Sequence, residues 1–418
     1  AYGVNGQAAI TIEQLLTHTS GLQPDLDLWK DWPDIPSRRQ AVLDVAPTDE
    51  PGTTYVYSDL NMISMQLLVE YVTGSTLDTL VRNGITRPLG MVDTGYNPPA
   101  GKRHRIAATE YEIQQGRGLV WGQVHDENAW SLGGVAGHAG VFSTARDLAV
   151  LGQAVLGGGS YAGRRILRPV TVERMLTNYN TAFPDDSHGL GFELDQIWYM
   201  GALTSKRTAG HTGFTGTTVV LDPLSRSMAI VLTNRVHPSR EWGSINAARE
   251  AVASSLAHAM AVRPRSGRSA WYTDAANLGA TTLSTPPLAA GLGTITVDYQ
   301  TFVDTESADT VTLEVSVNGG EWAAVPVRAS GAGAPDGEVS TLSGTGHRSW
   351  WGVSGSLLVI SPPPTDLRLR WRYSTDKQYR GRGVYVDGIR VLSGDTVLFN
   401  GEGEGARLVA DGWTLSNR

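Results

Sequence analysis

Two short motifs carry residue types that can act together on a carbonyl group, Tyr57-Ser58-Asp59 and, far downstream, His211-Thr212-Gly213. Acyl transfer needs a nucleophile, a group that takes and returns its proton, and N–H donors aimed at the developing oxyanion. A tyrosine shuttles that proton when a neighbouring cation pulls its pKa below the unperturbed value of about 10, which makes Tyr57 a candidate catalytic residue. Asp59 offers a carboxylate either to a substrate or to the first turn of a following helix. His211 supplies a charge that comes and goes near pH 6.5 in an unperturbed setting, roughly at the neutral range. A third segment, His125-Asp126-Glu127-Asn128, sets out donors and acceptors suited to a sugar or a peptide, with Asp126 and Asn128 as candidate binding residues. Clustered His, Asp and Glu also suit a divalent ion. The segment lacks the HExxH spacing, however, and neither a metal nor an organic cofactor is expected.

The nucleophile is harder to place. The Ser-x-x-Lys at Ser374-Thr375-Asp376-Lys377 falls where a turn after a strand is expected, whereas side chains three apart share a face on a helix. No Gly-x-Ser-x-Gly elbow occurs. Ser20 and Ser58 qualify by type alone, and neither has a lysine three residues on.

The elements that must position these groups read as two domains, 1–264 and 265–418. In the first, helical periodicity runs through 12–18, through Leu60, Ile63, Leu67, Leu68 and Tyr71, and through Leu148, Val150, Leu151 and Val155. Thr11 and Thr144 are expected N-caps, and Gly74 and Gly157 expected stops. Segments 217–221 and 228–233, joined by Asp222-Pro223-Leu224-Ser225-Arg226, read as a hairpin, and 244–262 as a closing helix. After the linker-like residues 263–268 the period becomes two. Val311, Leu313, Val315 and Val317 alternate with polar residues, Asn318-Gly319-Gly320 turns into a strand at 322–327, and Leu367, Leu369, Trp371 and Tyr373 alternate with Asp366 and three arginines. Strands of this kind between Gly/Pro turns imply a β-sandwich.

Composition narrows the partners. Lys and Arg number 34 against 41 Asp and Glu, a net charge of −7 with no basic run, which argues against nucleic acid or anionic membrane. The chain has no cysteine, so disulfides and thiolate ligands are excluded. No apolar stretch approaches the roughly 18 residues of a membrane span, and the first nine residues show no signal-peptide pattern.

The run from Ile10-Thr11-Ile12-Glu13-Gln14-Leu15-Leu16-Thr17-His18-Thr19-Ser20-Gly21-Leu22 through Pro51-Gly52, Tyr57-Ser58-Asp59, Pro88-Leu89-Gly90-Met91, Gly140-Val141-Phe142-Ser143-Thr144 and Gly210-His211-Thr212-Gly213-Phe214 resembles the β-lactamase-related serine hydrolases and penicillin-binding proteins. Segment 124–130 with Gly133-Gly134-Val135-Ala136-Gly137-His138-Ala139-Gly140 is similar to the branch of that superfamily that includes penicillin-binding protein 4B and exo-acting N-acetylmuramoyl-L-alanine amidases. The resemblance covers roughly residues 8–260. It implies an α/β (α+β) domain with an antiparallel sheet flanked by helices, to which this chain adds a C-terminal all-β sandwich similar to jelly-roll modules of secreted bacterial peptidases.

It also implies roles. The third motif would edge the active site, so that Thr212, Gly213 and Phe214 contact the acyl group and the Phe214 N–H helps bind the oxyanion. His211 stands where penicillin-recognising members carry lysine, and Asp59 where they carry asparagine, which favours amidase or esterase chemistry over penicillin turnover. The expected activity is hydrolysis, through an acyl-enzyme, of amide bonds in peptidoglycan-derived muropeptides. The alternatives are a serine esterase on small acyl esters and a non-catalytic glycan- or peptide-binding protein. The family's serine–lysine pair lies farther before the tyrosine than the 56 residues here, so the nucleophile is expected on upstream sequence, with an associated N-terminal fragment as a possible partner. The appended module implies export, to the cell envelope or beyond. Trp322, Trp350 and Trp351 are candidates for stacking on sugars or for core packing.

Overall fold

The computed structural model describes residues 3–345, 348–361, 363–377 and 381–417. They form two units, Ala1–Met200 with Lys206–Val252, and Gly201–Ser205 with Ala253–Arg418.

In the first unit, helix α1 (Ile12–Leu16) opens with a capping box: the Thr11 hydroxyl accepts the Gln14 N–H at 3.2 Å, and the Gln14 carboxamide accepts the Thr11 N–H at 2.9 Å. It stops short of the expected His18, because His18 adopts a left-handed φ of 57° that turns the chain out of the helix. Helix α2 (Asp59–Thr73) buries Leu60 and Ile63 against Leu15, Leu22, Leu28 and Val42, and Gly74 ends it at φ 62°. Tyr71, expected on that apolar stripe, is 81% exposed; the buried residues of the helix end at Gln66.

A short hairpin pairs β1 (Tyr111–Glu112) with β2 (Gly118–Leu119). Helix α3 (Glu127–Ser131) starts at Asp126, whose carboxylate accepts the Ala129 N–H at 2.7 Å. Helix α4 (Ala145–Leu156) is capped by Thr144, as its sequence implies. Four antiparallel strands follow in spatial order, β3 (Glu193–Leu194), β4 (Ala209–Thr212), β5 (Thr217–Asp222) and β6 (Ser227–Leu232). The β5–β6 turn closes on Asp222, whose carboxylate accepts the Leu224 and Ser225 N–H groups at 3.1 and 3.3 Å. Helix α4 lies so close to the sheet that a Cβ at Gly152 would sit 3.0 Å from Leu221 Cδ2. Helix α5 (Asn246–Ala259) comes last, and its residues from Ala253 on belong to the second unit.

The second unit consists chiefly of two antiparallel sheets around one core. The larger sheet centres on β7 (Gly293–Asp304), while β8 (Thr310–Val317) belongs to the five-stranded sheet. β8 pairs with β10 (Leu367–Ser374), and β7 is flanked by β9 (Trp350–Val359) and by β11 (Gly383–Ser393). The period-two reading holds in detail: Leu367, Leu369, Trp371 and Tyr373 are buried, and Arg368 and Arg372 lie exposed on the opposite face. The strand expected over 322–327 is instead two pieces, Ala323–Ala324 and Val327–Ser330, separated by Pro326, which has no N–H to donate to a ladder. Trp351 is 1% exposed and part of the core, so it has no face for a sugar. Trp322 lies under the Arg370 guanidinium, 4.1 Å from its ring centre.

Candidate active site

Tyr57 is placed by its neighbours in the chain. The Val56 N–H donates to the His18 carbonyl at 2.9 Å, and the Ser58 N–H and the Asn61 carboxamide both reach His18 Nδ1 at 3.1 Å. Nδ1 therefore accepts, and the ring carries its proton on Nε2. The Tyr57 ring packs 4.6 Å from that of His18, which in turn lies 5.3 Å from His188. On its other side Tyr57 meets His211, ring centres 6.0 Å apart. Four segments distant in sequence thus line up His188, His18, Tyr57 and His211. Burial, then His188 and His211, hold His18 down to about 3, and burial holds His188 down to about 4, so two neutral imidazoles back the phenol. His211 Nδ1 lies 2.8 Å from the Thr212 carbonyl, to which it donates, leaving Nε2 as the ring's other functional atom.

Tyr57 is 48% exposed. Its phenol is pushed up, first by desolvation and then by Asp59, Glu193 and Asp126. This corrects the expectation of a pKa depressed by a cation, because the charged groups that dominate around this ring are carboxylates. Ser58 holds the N-cap position of α2 without a side-chain capping bond; its hydroxyl donates instead to the Gln23 carbonyl at 2.6 Å. Asp59, expected either as cap or as binding group, is the first helical residue, and its carboxylate faces Asp126 and His138, with ligand atoms of the three within 4.8 Å of one another. His138 Nε2 lies 2.8 Å from Asp126 Oδ1. Burial works against charge on both, but the bond and mutual attraction win, leaving Asp126 lowered and His138 raised. Asp59 is raised: burial outweighs the pull of His138, and the charges of Asp126 and Asp25 add to the rise.

The third motif ends β4. A Cβ at Gly213 would fall 2.1 Å from Thr217 Oγ1, so glycine is the residue that lets the strand edge close on β5. Among the described residues nothing accepts from the Phe214 N–H. The Phe214 ring is 58% exposed and flanked by His125, stacked at 5.6 Å, and by the Arg235 and Arg240 guanidinium groups at 4.8 and 5.5 Å. Behind this edge lies a cavity of about 290 Å³, lined by Thr212, Gly213, Phe214, Arg235, Arg249 and residues 244–246 at the start of α5. Arg249 is 7% exposed; it donates to the Gly213 carbonyl and the Asn246 side chain, both at 2.8 Å, and its Nε has no partner. Among the described residues neither Arg235 nor Arg249 is within ion-pair distance of a carboxylate.

The segment 125–128, read from sequence as one cluster, is divided three ways by the fold. His125 turns to Glu110 at 2.8 Å, Asp126 to His138, and Glu127 to Arg240 at 2.6 Å. Asn128 leaves the site: its carboxamide donates to the Leu26 carbonyl at 2.7 Å and accepts the Trp29 N–H at 3.4 Å, so it ties α3 to an earlier loop. Sequence reading overlooked His18, His188, His138, Arg235 and Arg249. Asn246 and Arg249, three apart at the start of a helix, were the one local signal among these.

The depressed histidines give a pH dependence with a definite sign. Between their folded values and the unfolded value of 6.5, the unfolded chain binds more protons, so stability is complete above about pH 6.5 and lost on acidification. Urea midpoints of the wild type should fall more steeply between pH 6.5 and 4.5 than those of His188→Gln. Parallel curves would contradict the assignment of neutral imidazoles.

Helices pack around an antiparallel sheet, and Tyr57 and His211 meet at 6.0 Å, an arrangement of the α/β class that the sequence resemblance implied. Residues 1–254 match the Beta-lactamase family model, and the chain belongs to that family. It is 34% identical over 265 residues to "Putative D-alanyl-D-alanine carboxypeptidase" of Escherichia coli (strain K12), covering 56% of this chain and 59% of that protein. The protein of the same description from Salmonella schwarzengrund (strain CVM19633) is 33% identical over 266 residues, with the same shares covered. The chain therefore spans less than two thirds of the length of these relatives. A penicillin-binding protein homologue from Caulobacter crescentus aligns with a TM-score of 0.44 and 22% identity, over 60% of this chain and 72% of that one. Among the described residues no helix is long and apolar enough to cross a membrane.

Proposed function

We propose that this chain carries the tyrosine and third-motif half of a serine acyl-transfer site that hydrolyses peptides ending in a free carboxylate, of the D-alanyl-D-alanine type found in peptidoglycan fragments. The nucleophilic serine and its lysine are assigned to sequence preceding residue 1, since Ser374 closes strand β10 and does not lie on a helix, where a lysine three residues on would share its face. The observation that carries the reading is the convergence of Tyr57 and His211 at 6.0 Å beside an open Phe214 N–H. In the mechanism, serine attacks the carbonyl, lysine and Tyr57 manage its proton, the Phe214 N–H stabilises the oxyanion, and water clears the acyl-enzyme.

The electrostatics support the substrate class. Arg235 and Arg249, which line the cavity, suit a carboxylate, while Asp59 and Asp126 suit an amino group at the other end. Proteins that carry the preceding segment should be labelled by a fluorophosphonate on that serine and release D-alanine from muropeptides. Turnover confined to p-nitrophenyl esters would favour an esterase, and binding without product would favour a non-catalytic receptor. Carboxylate recognition is testable on the 418-residue chain. An N-acyl-D-Ala-D-Ala should bind at least about tenfold more tightly by calorimetry than its C-terminal amide, given roughly 1.5–3 kcal/mol for a hydrogen bond to a charged group. Equal affinities would remove the arginine pocket from the substrate site. Export to the cell envelope belongs to the same proposal and is checked by fractionating cells that express the protein.

A further inference from the structure

We propose that Glu110, Glu112 and His125 form a binding site for a divalent transition-metal ion of the zinc class, behind the Phe214 edge and separate from the Tyr57 cleft.

Glu110 and Glu112 flank the exposed Tyr111, and the period-two alternation of an extended chain sends both carboxylates to the buried side. His125 arrives just ahead of α3. Its Nε2 lies 2.8 Å from Glu110 Oε2 and 3.7 Å from Glu112 Oε1, and one ligand atom from each residue falls within 4.8 Å of the others. Ligand bonds of about 2.0–2.2 Å in a tetrahedral site place donor atoms roughly 3.3–3.5 Å apart, a spacing that these distances bracket. The side chains are 7%, 1% and 6% exposed in chain order.

The second observation concerns one oxygen. Glu112 Oε2 accepts from Arg117 at 2.7 Å, but Glu112 Oε1, pointing toward His125, has no donor. A buried carboxylate oxygen left unsolvated is costly, and a cation bound there offsets that loss. The surrounding bonds are those of an outer shell. Arg117 orients Glu112, while the Arg240 N–H and Nε hold the two oxygens of Glu110, each at 2.7 Å. The ion takes the Nε2 lone pair of His125, so the imidazole carries its proton on Nδ1, and Glu110 Oε2 and Glu112 Oε1 supply the other two bonds. Two oxygens and one nitrogen, without sulfur, suit zinc or manganese, with a fourth position for water. The His125 ring stacks on Phe214 at 5.6 Å, so an ion held here also steadies the loop whose N–H the proposed hydrolase site uses. Metal binding itself does not depend on that hydrolase reading.

The test uses the 418-residue chain after treatment with a chelator. Titration with Zn²⁺, followed by calorimetry and by metal analysis after dialysis, should give one ion per chain with a dissociation constant of about 10 μM or tighter. Co²⁺ should give the intense visible bands of a four-coordinate site. Glu112→Gln, which keeps the volume and the neighbouring contacts, should weaken binding at least 100-fold, and His125→Asn should do the same. His138→Gln, which alters the Asp59–Asp126–His138 cluster, should leave it unchanged. Circular dichroism establishes that each variant is folded. Absence of a bound ion in the wild type, undiminished binding by both folded site variants, or loss in His138→Gln alone would overturn the assignment. The readout needs no turnover, so its failure leaves the hydrolase reading standing.

Discussion

Under the proposed function, replacing Tyr57 with phenylalanine is expected to lower kcat/KM for D-alanine release by about 10²–10⁴-fold, the range for removing a positioned general acid or base, while leaving the melting temperature within a degree or two of wild type. The structural half of this expectation follows from exposure. The ring rests on His18 at 4.6 Å, and phenylalanine preserves that contact, while the residue is 48% exposed. The chemical half follows from the charges. Desolvation, Asp59, Glu193 and Asp126 all push the phenol upward, so at neutral pH it is protonated and donates, unless a cation arrives to draw the proton off. The lysine assigned to the preceding segment is such a cation, as is a substrate amino group between Asp59 and Asp126. Asp59→Asn should accordingly shift the basic limb of the kcat/KM profile to lower pH, because one of the carboxylates raising Tyr57 is gone. The measurement is steady-state release of D-alanine by the protein carrying the serine–lysine segment. A Tyr57→Phe enzyme within threefold of wild type would take the proton-transfer role away from Tyr57.

The largest stability effect is expected in the second unit, where Asp304→Ala should cost about 3–5 kcal/mol, the range for removing one partner of a buried ion pair. The Asp304 carboxylate lies between two guanidinium groups, Arg348 and Arg382, the latter at 2.5 Å, and the three side chains are 2–6% exposed. A histidine or lysine left behind in such a place escapes by losing its proton. Arginine does not, since its pKa lies above about 12. Without Asp304 the fold must hold buried positive charge or open to admit water. The Arg382 guanidinium also lies 5.0 Å over the Phe302 ring, which gives it some compensation, and the Arg348 guanidinium donates to the Leu203 carbonyl at 2.8 Å. Urea unfolding followed by tryptophan fluorescence reports on this unit through Trp351, Trp371 and Trp413, all buried there. Asp304→Asn, which retains an acceptor, should fall between the two, and a loss below about 1 kcal/mol for the alanine variant would mean that water already solvates the arginines.

Much of the architecture was legible before any coordinates. Thr11 and Thr144 cap helices because a hydroxyl can reach the N–H three residues ahead, an interaction within a single turn. The Asp222 turn between β5 and β6 and the alternation along β10 are local in the same way. The misreadings have equally local causes. His18 turned the chain two residues early, Pro326 interrupted a strand, and the apolar stripe of α2 lost its partner before Tyr71.

The site was legible in part. Motif order brought out Tyr57, His211 and Phe214; in the fold Tyr57 lies 6.0 Å from His211, and the Phe214 ring stacks on His125. It could not show that Asn128 would be consumed by the Leu26 and Trp29 backbone, or that His125 and Asp126, adjacent in the chain, would turn to different partners. Residue types, caps, turns and the periods of helix and strand are properties of a few consecutive residues, so the chain alone specifies them. Which carboxylate faces which imidazole, and hence the proton each holds, depends on separations of 3–6 Å between segments distant in sequence. Those distances exist only once the helices and sheet have packed.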